Sequence, residues 1–153
     1  MTDKLKKEIR EDVKKYPSAR AASLAALYAA QEEFGYLSPE ALKAVSGELG
    51  VARATLRGTA TFYSMFKHKP MGRHVIRLCT NVSCMLFGAE TLVEIIGGIF
   101  GVEPGGASAD GRFSLEIMEC IGACDRGPAM LVDDDEHFNL TAESVIEILD
   151  SYK

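Results

Sequence analysis

Four cysteines are the residues best placed to do chemistry. They stand at Cys79, Cys84, Cys120 and Cys124, and the first 78 residues contain none. The spacing is Cys-x4-Cys, then 35 residues, then Cys-x3-Cys. Segregation into one half of the chain is unusual for scattered core cysteines. A disulfide framework is disfavoured in a chain that shows no secretory signal. Metal or redox chemistry comes first. The thiolate is the species that ligates iron or zinc, and two pairs on two loops match the demand of a [2Fe–2S] cluster, each iron taking two sulfurs. Four cysteines also satisfy structural zinc, although zinc sites more often carry tighter Cys-x2-Cys pairs. No Cys-x2-Cys redox pair and no Cys-x4-Cys-x2-Cys run is present, which removes a thioredoxin-type dithiol and a plant-type ferredoxin. On spacing alone, iron–sulfur leads, zinc follows, and disulfides or free thiols come last.

The elements around the cysteines have to bring the two pairs together. His74-Val75-Ile76-Arg77-Leu78 is a β-branched run and reads as a strand ending at Cys79. Phe113 to Met118 alternates apolar and polar residues and reads as a second strand, followed at once by Cys120. Neighbouring strand ends lie ~5 Å apart, so the two loops can meet at one sheet edge. Met85 to Ile96 has helical spacing, with Gly97-Gly98 expected to end or loosen it. Residues 103–111 read as loop, 129–140 as a hairpin turning at Asp133-Asp134-Asp135, and Thr141 as the cap of a last helix. The expected order is β-α-β-β-β-α. Cys84 falls at a predicted helix N-terminus, where the macrodipole favours negative charge. Ser83, Gly88, Gly122, Ala123, Gly127 and Ala129 keep the neighbourhood small. Gly122 is free to adopt a positive φ and turn a backbone N–H toward sulfur.

The N-terminal half reads as helices. Leu5, Ile9 and Val13 form one stripe of the first. Ser18 is expected to cap a second, running from Ala19 to about Glu33 and ended by Gly35. Ser38-Pro39-Glu40 starts a third, which stops at Gly50. A fourth covers about Ala52 to Thr59. The run from Ala60 to Phe66 is too short and apolar to assign by period, and Lys67 to Gly72 reads as a linker. Two domains are therefore expected, 1–70 helical and 71–153 mixed, giving an α+β fold class.

Charge supports that division. Residues 1–70 carry 12 Lys/Arg and 8 Asp/Glu, a balance of +4; residues 71–153 carry 5 and 14, a balance of −9. The basic excess is spread along helices, so nucleic acid is not the expected partner. No apolar run reaches the ~18 residues of a membrane span, and the first residues lack the apolar stretch of a signal peptide. A cytoplasmic protein without direct membrane insertion is expected.

Four stretches carry a resemblance. They are Gln31-Glu32-Glu33-Phe34-Gly35-Tyr36-Leu37, Ala60 to Phe66, Cys79-Thr80-Asn81-Val82-Ser83-Cys84 with Gly88-Ala89-Glu90, and Glu119-Cys120-Ile121-Gly122-Ala123-Cys124 with Pro128. In these the chain resembles the 24-kDa subunit family of respiratory NADH:quinone oxidoreductase (complex I), the thioredoxin-like [2Fe–2S] ferredoxins. The resemblance implies a helical domain followed by a thioredoxin-like domain. It implies one [2Fe–2S] cluster on Cys79, Cys84, Cys120 and Cys124. It places that cluster beside the FMN of a partner subunit that binds flavin and NADH, in a complex attached to the inner face of the plasma membrane. This chain would be a non-catalytic electron-transfer subunit. The same subunit type resembles those of NAD-linked, including bifurcating, hydrogenases and formate dehydrogenases, which is the alternative; a zinc-stabilised interaction module is the remote one. Asp125-Arg126-Gly127-Pro128 departs from the family pattern, which more often has uncharged residues there and Ala before Pro.

The other polar groups have plainer readings. His74 and His137 lie on predicted strands and His68 in the linker, and four cysteines leave a histidine ligand unnecessary. Asp133 to Glu136 reads as a solvated turn. Phe62, Met65 and Phe66 are expected to pack in the core, with an interface as the second reading. Gly97, Gly98 and Gly101 follow no strand and form no phosphate loop. No Ser/His/Asp set and no carboxylate pair marks a catalytic site.

Overall fold

The first helix is written into its own ends. Thr2 accepts a hydrogen bond from the Leu5 N–H and Asp3 opens the first turn, so α1 spans Asp3–Val13 with Leu5 and Ile9 buried. The computed structural model describes residues 2–153, which divide into two compact units that meet in sequence between residues 70 and 71.

Helix α2 covers Ser23–Phe34 and ends at Gly35. Its start lies four residues later than the expected Ala19. Ser18 does act as a cap, accepting from the Ala21 N–H at 3.2 Å, but only of a turn. The Ser23 hydroxyl donates back to Arg20 O at 2.7 Å and closes that turn before the helix begins. Helix α3, Pro39–Leu49, begins as expected, with the Ser38 hydroxyl accepting from the Ala41 N–H at 3.1 Å. Helix α4, Arg53–Phe62, runs three residues past the expected Thr59. Leu5, Ile9, Leu27, Val45, Leu56 and Phe66 sit in one buried cluster of this unit. Each such aliphatic side chain contributes ~1.5–3 kcal/mol by leaving water. Lys67, expected in a linker, belongs to this unit: its carbonyl accepts from the Leu37 N–H at 2.7 Å, and it is largely buried.

The second unit holds a four-stranded sheet of β1 (His74–Cys79), β2 (Phe113–Met118), β3 (Met130–Val132) and β4 (Asp135–His137), in the order β2-β1-β3-β4. Strands β1 and β2 are parallel and pair residue for residue from His74↔Phe113 to Cys79↔Met118. Strands β1 and β3, and β3 and β4, are antiparallel. Between β1 and β2 the chain forms a short helix α5, Val82–Leu86, and then α6, Ala89–Phe100. The single helix expected from Met85 is broken at Gly88, whose φ is +91°. Gly97 and Gly98 do not end α6; the helix continues to Phe100 and Gly101 closes it. The last helix α7, Ala142–Ser151, starts with the expected Thr141, whose hydroxyl and that of Ser144 reciprocate in a capping box.

Alternate residues of the strands (Ile76, Leu78, Leu115, Met130) share one buried cluster with Ile96 of α6 and Leu149 of α7. At the far end of α7, the Arg112 guanidinium donates to Leu149 O and Tyr152 O, both at 2.6 Å, and lies 4.6 Å from the Phe113 ring centroid. Asp133 lies in the turn between β3 and β4 and is partly exposed, but its carboxylate is held in place. It lies 2.7 Å from His74 Nδ1 and accepts from the Val75 N–H at 2.8 Å. His137 lies 3.2 Å from the Tyr152 hydroxyl. His68 faces Ala60 O at 3.2 Å.

Candidate metal centre

The parallel pairing of β1 with β2 decides where the cysteines go. Cys79 is the last residue of β1 and lies opposite Met118, so the chain leaving β2 passes beside it. The Thr80 N–H donates to Met118 O at 3.1 Å, and the Cys79 N–H to Ala129 O at 3.1 Å. Backbone from β1, from the end of β2 and from the residue preceding β3 thus frames the first cysteine. Cys79 Sγ lies 3.7 Å from Glu119 O.

Cys84 comes from α5, where the Asn81 side chain accepts from the Val82 N–H at 2.8 Å and fixes the start of the helix. The second pair lies on the segment after β2. Cys120 is followed by Gly122, which takes φ +82°. That conformation turns the Gly122 N–H onto Cys120 Sγ at 3.3 Å. Cys124 opens a single 3₁₀ turn, Cys124–Arg126. The Ser83 hydroxyl of α5 donates to Cys124 O at 2.9 Å and ties the two loops together.

All four predicted residues therefore meet at one end of the sheet, as two pairs of different exposure. Cys79 and Cys84 are buried; Cys120 and Cys124 are exposed. Cys84 neighbours Cys79, and Cys124 neighbours Cys120, closely enough for each thiol to act on the other. Burial, and then the Cys79 sulfur, push the Cys84 thiol up, while the Ala129 N–H facing it works in the opposite direction. The hydrogen bond with Cys120 is the chief cause that holds the Cys124 thiol up.

The donor set fits a two-iron cluster. Cys84 feels the charge of Cys79 and Cys124, and Cys124 that of Cys120 and Cys79, so the four sulfurs act on one another. Two pairs serve two irons, two sulfurs each. Crowded sulfurs that repel one another's charge gain from a cation, which displaces their protons. Space is left for it. A Cβ placed on Gly127 would lie 3.3 Å from Cys84 Sγ and 3.6 Å from the Phe87 ring. Buried Ala89, Ala123 and Ala129 line the same cluster.

Three contacts made by residues already noted in the sequence had no signature there. Ser83 bonds a main-chain oxygen 41 residues away, and main-chain acceptors leave no residue pattern. The Ala129 N–H is likewise anonymous. The Arg126 guanidinium lies 3.9 Å from the Phe138 ring centroid, with its Nε 3.7 Å from Asp125 Oδ2, so the charges next to Cys124 face each other and an aromatic ring. Next to Cys84 the surface is apolar: Leu86 is 76% and Phe87 65% exposed, with Val82 and Met85 on α5, whereas the neighbours of Cys120 and Cys124 in the chain, Glu119, Asp125 and Arg126, are exposed charges.

Residues 9–153 match the protein family described as thioredoxin-like [2Fe-2S] ferredoxin. The chain is 40% identical to an NADH-quinone oxidoreductase subunit of Rhizobium meliloti, over 97% of this chain and 89% of that protein. It is 38% identical to the corresponding NADH-quinone oxidoreductase subunit of Escherichia coli K12, over 95% and 87%. The counterpart from Aquifex aeolicus is 32% identical over 98% and 94%. Among solved structures, a chain of the air-oxidised NAD+-reducing [NiFe]-hydrogenase matches with a TM-score of 0.67 and 25% identity, covering 82% of this chain. This chain spans only 22% of that one.

Proposed function

The chain belongs to the thioredoxin-like [2Fe–2S] ferredoxin family, and from that premise we propose that it is the one-electron relay of an NADH-oxidising complex. Cys79, Cys84, Cys120 and Cys124 hold one [2Fe–2S] cluster, and no substrate chemistry takes place on this chain. When bound, the cluster accepts and returns single electrons. The observation that carries the reading is the unequal setting of the two sulfur pairs. Cys79 and Cys84 anchor the site in the fold, while Cys120 and Cys124 are exposed and the Cys84 helix carries the exposed apolar residues Val82, Met85 and Leu86, with Phe87 after it. Exposed ligands and an exposed apolar segment at one centre are what a docking flavoprotein needs to exclude water. The partner is the subunit that binds FMN and NADH. The Gly122 and Ala129 N–H groups soften the negative charge on sulfur and so tune the potential.

NADH:quinone oxidoreductase is the parent complex favoured by the three relatives, which this chain matches over most of their length. An NAD-linked hydrogenase is the second reading, supported by the shared fold with the NAD+-reducing enzyme. Among the described residues no helix is long and apolar enough to cross a membrane. The chain sits on the cytoplasmic side, and the complex attaches to the inner face of the membrane through other subunits.

Anaerobically purified protein is expected to hold two irons and two acid-labile sulfides per chain, and to give a one-electron paramagnetic signal on reduction. Alone it does not oxidise NADH; with the flavin subunit it accepts electrons from it. Stoichiometric zinc in a colourless protein, or NADH oxidation by the isolated chain, overturns the reading. The subunits that accompany the native protein decide between the two complexes.

A further inference from the structure

The segment after β4 is fastened to the turn that carries the last cysteine. The Asn139 N–H donates to Arg126 O at 2.8 Å, and the Leu140 N–H to Pro128 O at 3.1 Å. The Arg126 N–H donates to Ala123 O at 3.0 Å and closes the 3₁₀ turn from its other side. These bonds bring residue 126 against residue 138. The Arg126 guanidinium lies over the Phe138 ring, 3.9 Å from its centroid. Phe138 also packs against the group formed by Cys79, Cys84, Ala89, Ala123 and Ala129. One ring therefore touches both a permanent cation and the group that contains the buried sulfurs.

That cation has a particular task in a unit whose side chains sum to −9. From Thr80 to Pro128 the sequence holds two basic residues, Arg112 and Arg126. The Arg112 guanidinium is bound to Leu149 O and Tyr152 O at the end of α7. Arg126 is left as the cation of the cysteine loops, two residues beyond Cys124. Between them stands Asp125. After the larger effects of Cys120, burial and Cys79, the Asp125 carboxylate also pushes the Cys124 thiol up, so its negative charge reaches that sulfur. Arg126 Nε faces Asp125 Oδ2 at 3.7 Å, too far for a hydrogen bond but close enough for charge to act on charge. The Arg126 side chain is 51% exposed and that of Asp125 78%. Stacking on the ring covers one face of the guanidinium and keeps it out of bulk water. Arginine also stays charged at any pH the fold withstands.

We propose, resting on the electron-relay reading above, that Arg126 is the counter-charge of the metal centre: held on the Phe138 ring, it offsets Asp125 and favours the reduced cluster. In that relay one electron arrives from the flavin of the partner subunit, and the centre becomes one unit more negative. A cation fixed nearby stabilises the added charge, and an anion opposes it. Phe138 is a positioning residue. It carries no charge and acts by keeping the guanidinium beside Asp125 and the cysteine turn.

Redox titration of the full cluster-loaded chain tests this, followed by visible absorbance and the paramagnetic signal at low and high salt. Arg126→Gln is expected to lower the equilibrium constant for one-electron reduction about three- to fivefold, a fall of ~30–40 mV. The fall shrinks at high salt, because both charges are open to screening. Arg126→Lys keeps a cation and recovers most of the loss. Asp125→Asn shifts the constant the opposite way, and Asp125→Asn/Arg126→Gln returns close to wild type. Phe138→Leu gives a smaller fall, which vanishes when residue 126 is already glutamine. A wild-type potential in Arg126→Gln, with the cluster and its signal retained, overturns the proposal and leaves the electron-relay reading standing. Equal potentials in Arg126→Lys and Arg126→Gln, or an undiminished Phe138→Leu effect in the glutamine background, overturn it too. If Arg126→Gln sheds its cluster, Phe138→Leu decides, since it keeps both charges: a wild-type potential there overturns the proposal. A wild-type chain that takes up zinc and no iron overturns both readings.

Discussion

Ser83→Ala isolates the contribution of one hydrogen bond to the metal centre. The Ser83 hydroxyl reaches Cys124 O at 2.9 Å, joining α5 to the 3₁₀ turn that carries the last cysteine. A neutral bond of this kind contributes ~0.5–1.5 kcal/mol net, and its exposed setting puts it in the lower part of that range, ~0.5–1 kcal/mol. Ser83 also lies within α5, where alanine is the better helix former by ~0.5 kcal/mol. The two effects oppose each other in the stability of the metal-free chain, which should change little. They do not oppose each other in retention of the cluster. There the tie holds the two ligand pairs at a fixed separation, and helix propensity within α5 does not replace it. A loss of ~0.5–1 kcal/mol corresponds to cluster release about two- to fivefold faster, since 1.4 kcal/mol is a factor of ten. The assay follows decay of visible absorbance after addition of an iron chelator, alongside urea unfolding of the metal-free protein. Ser83→Thr keeps the hydroxyl and should release at the wild-type rate. Equal release from wild type and Ser83→Ala, or equal acceleration in Ser83→Ala and Ser83→Thr, would refute the argument.

Arg112→Ala removes two charge-assisted hydrogen bonds to the last carbonyls of α7 and the contact with Phe113. It should destabilise the 71–153 unit by ~2–4 kcal/mol in urea titration; a change below ~0.5 kcal/mol would show that the α7 carbonyls are satisfied by water. Burial first, and then Asp135, push the Tyr152 phenol up to about 12 from its ordinary 10. The folded form thus prefers the protonated phenol, so its stabilisation is complete below pH 10 and is lost as pH rises from 10 to 12. Tyr152→Phe should flatten the stability profile over that window, and an unaltered profile would assign the loss to other groups. Gly122→Ala places a Cβ on a residue at φ +82°. The expected cost is ~1–2 kcal/mol in unfolding experiments, with a shifted reduction potential as the N–H to Cys120 is displaced. Retention of both wild-type values would show that the loop has another conformation open to it.

Much of the centre was legible because it is encoded locally. Each cysteine pair follows a strand the sequence marks, the first by its β-branched run and the second by its alternation, and Gly122 stands where a positive φ is open to it. Ser38 and Thr141 cap helices with side chains that act within three residues, so their starts could be placed. What escaped depends either on a local turn that composition does not mark or on long-range packing. The start of α2 is set by the Ser23–Arg20 turn, which an alanine-rich run does not reveal. Gly97 and Gly98 sit in a helix whose neighbours in the core outweigh their low propensity. Phe62 and Phe66 are equal in composition and opposite in burial, because Gln31, more than thirty residues earlier, fixes the backbone between them. Asp133 looks like any hairpin acid until His74 and Val75 are seen beside it.

The in-register ladder between β1 and β2 has a consequence for how such chains can vary. The two cysteine loops leave the sheet from the paired ends Cys79 and Met118, so their spacing is measured across the strands and not along the chain. The length of the 35 residues separating Cys84 from Cys120 therefore does not set the distance between the two pairs; the ladder does. A slip of one residue between the strands, with no change in length at all, would turn Cys79 to the opposite side of the sheet. What variation must preserve is thus the alternation of two six-residue strands rather than the length of the crossover.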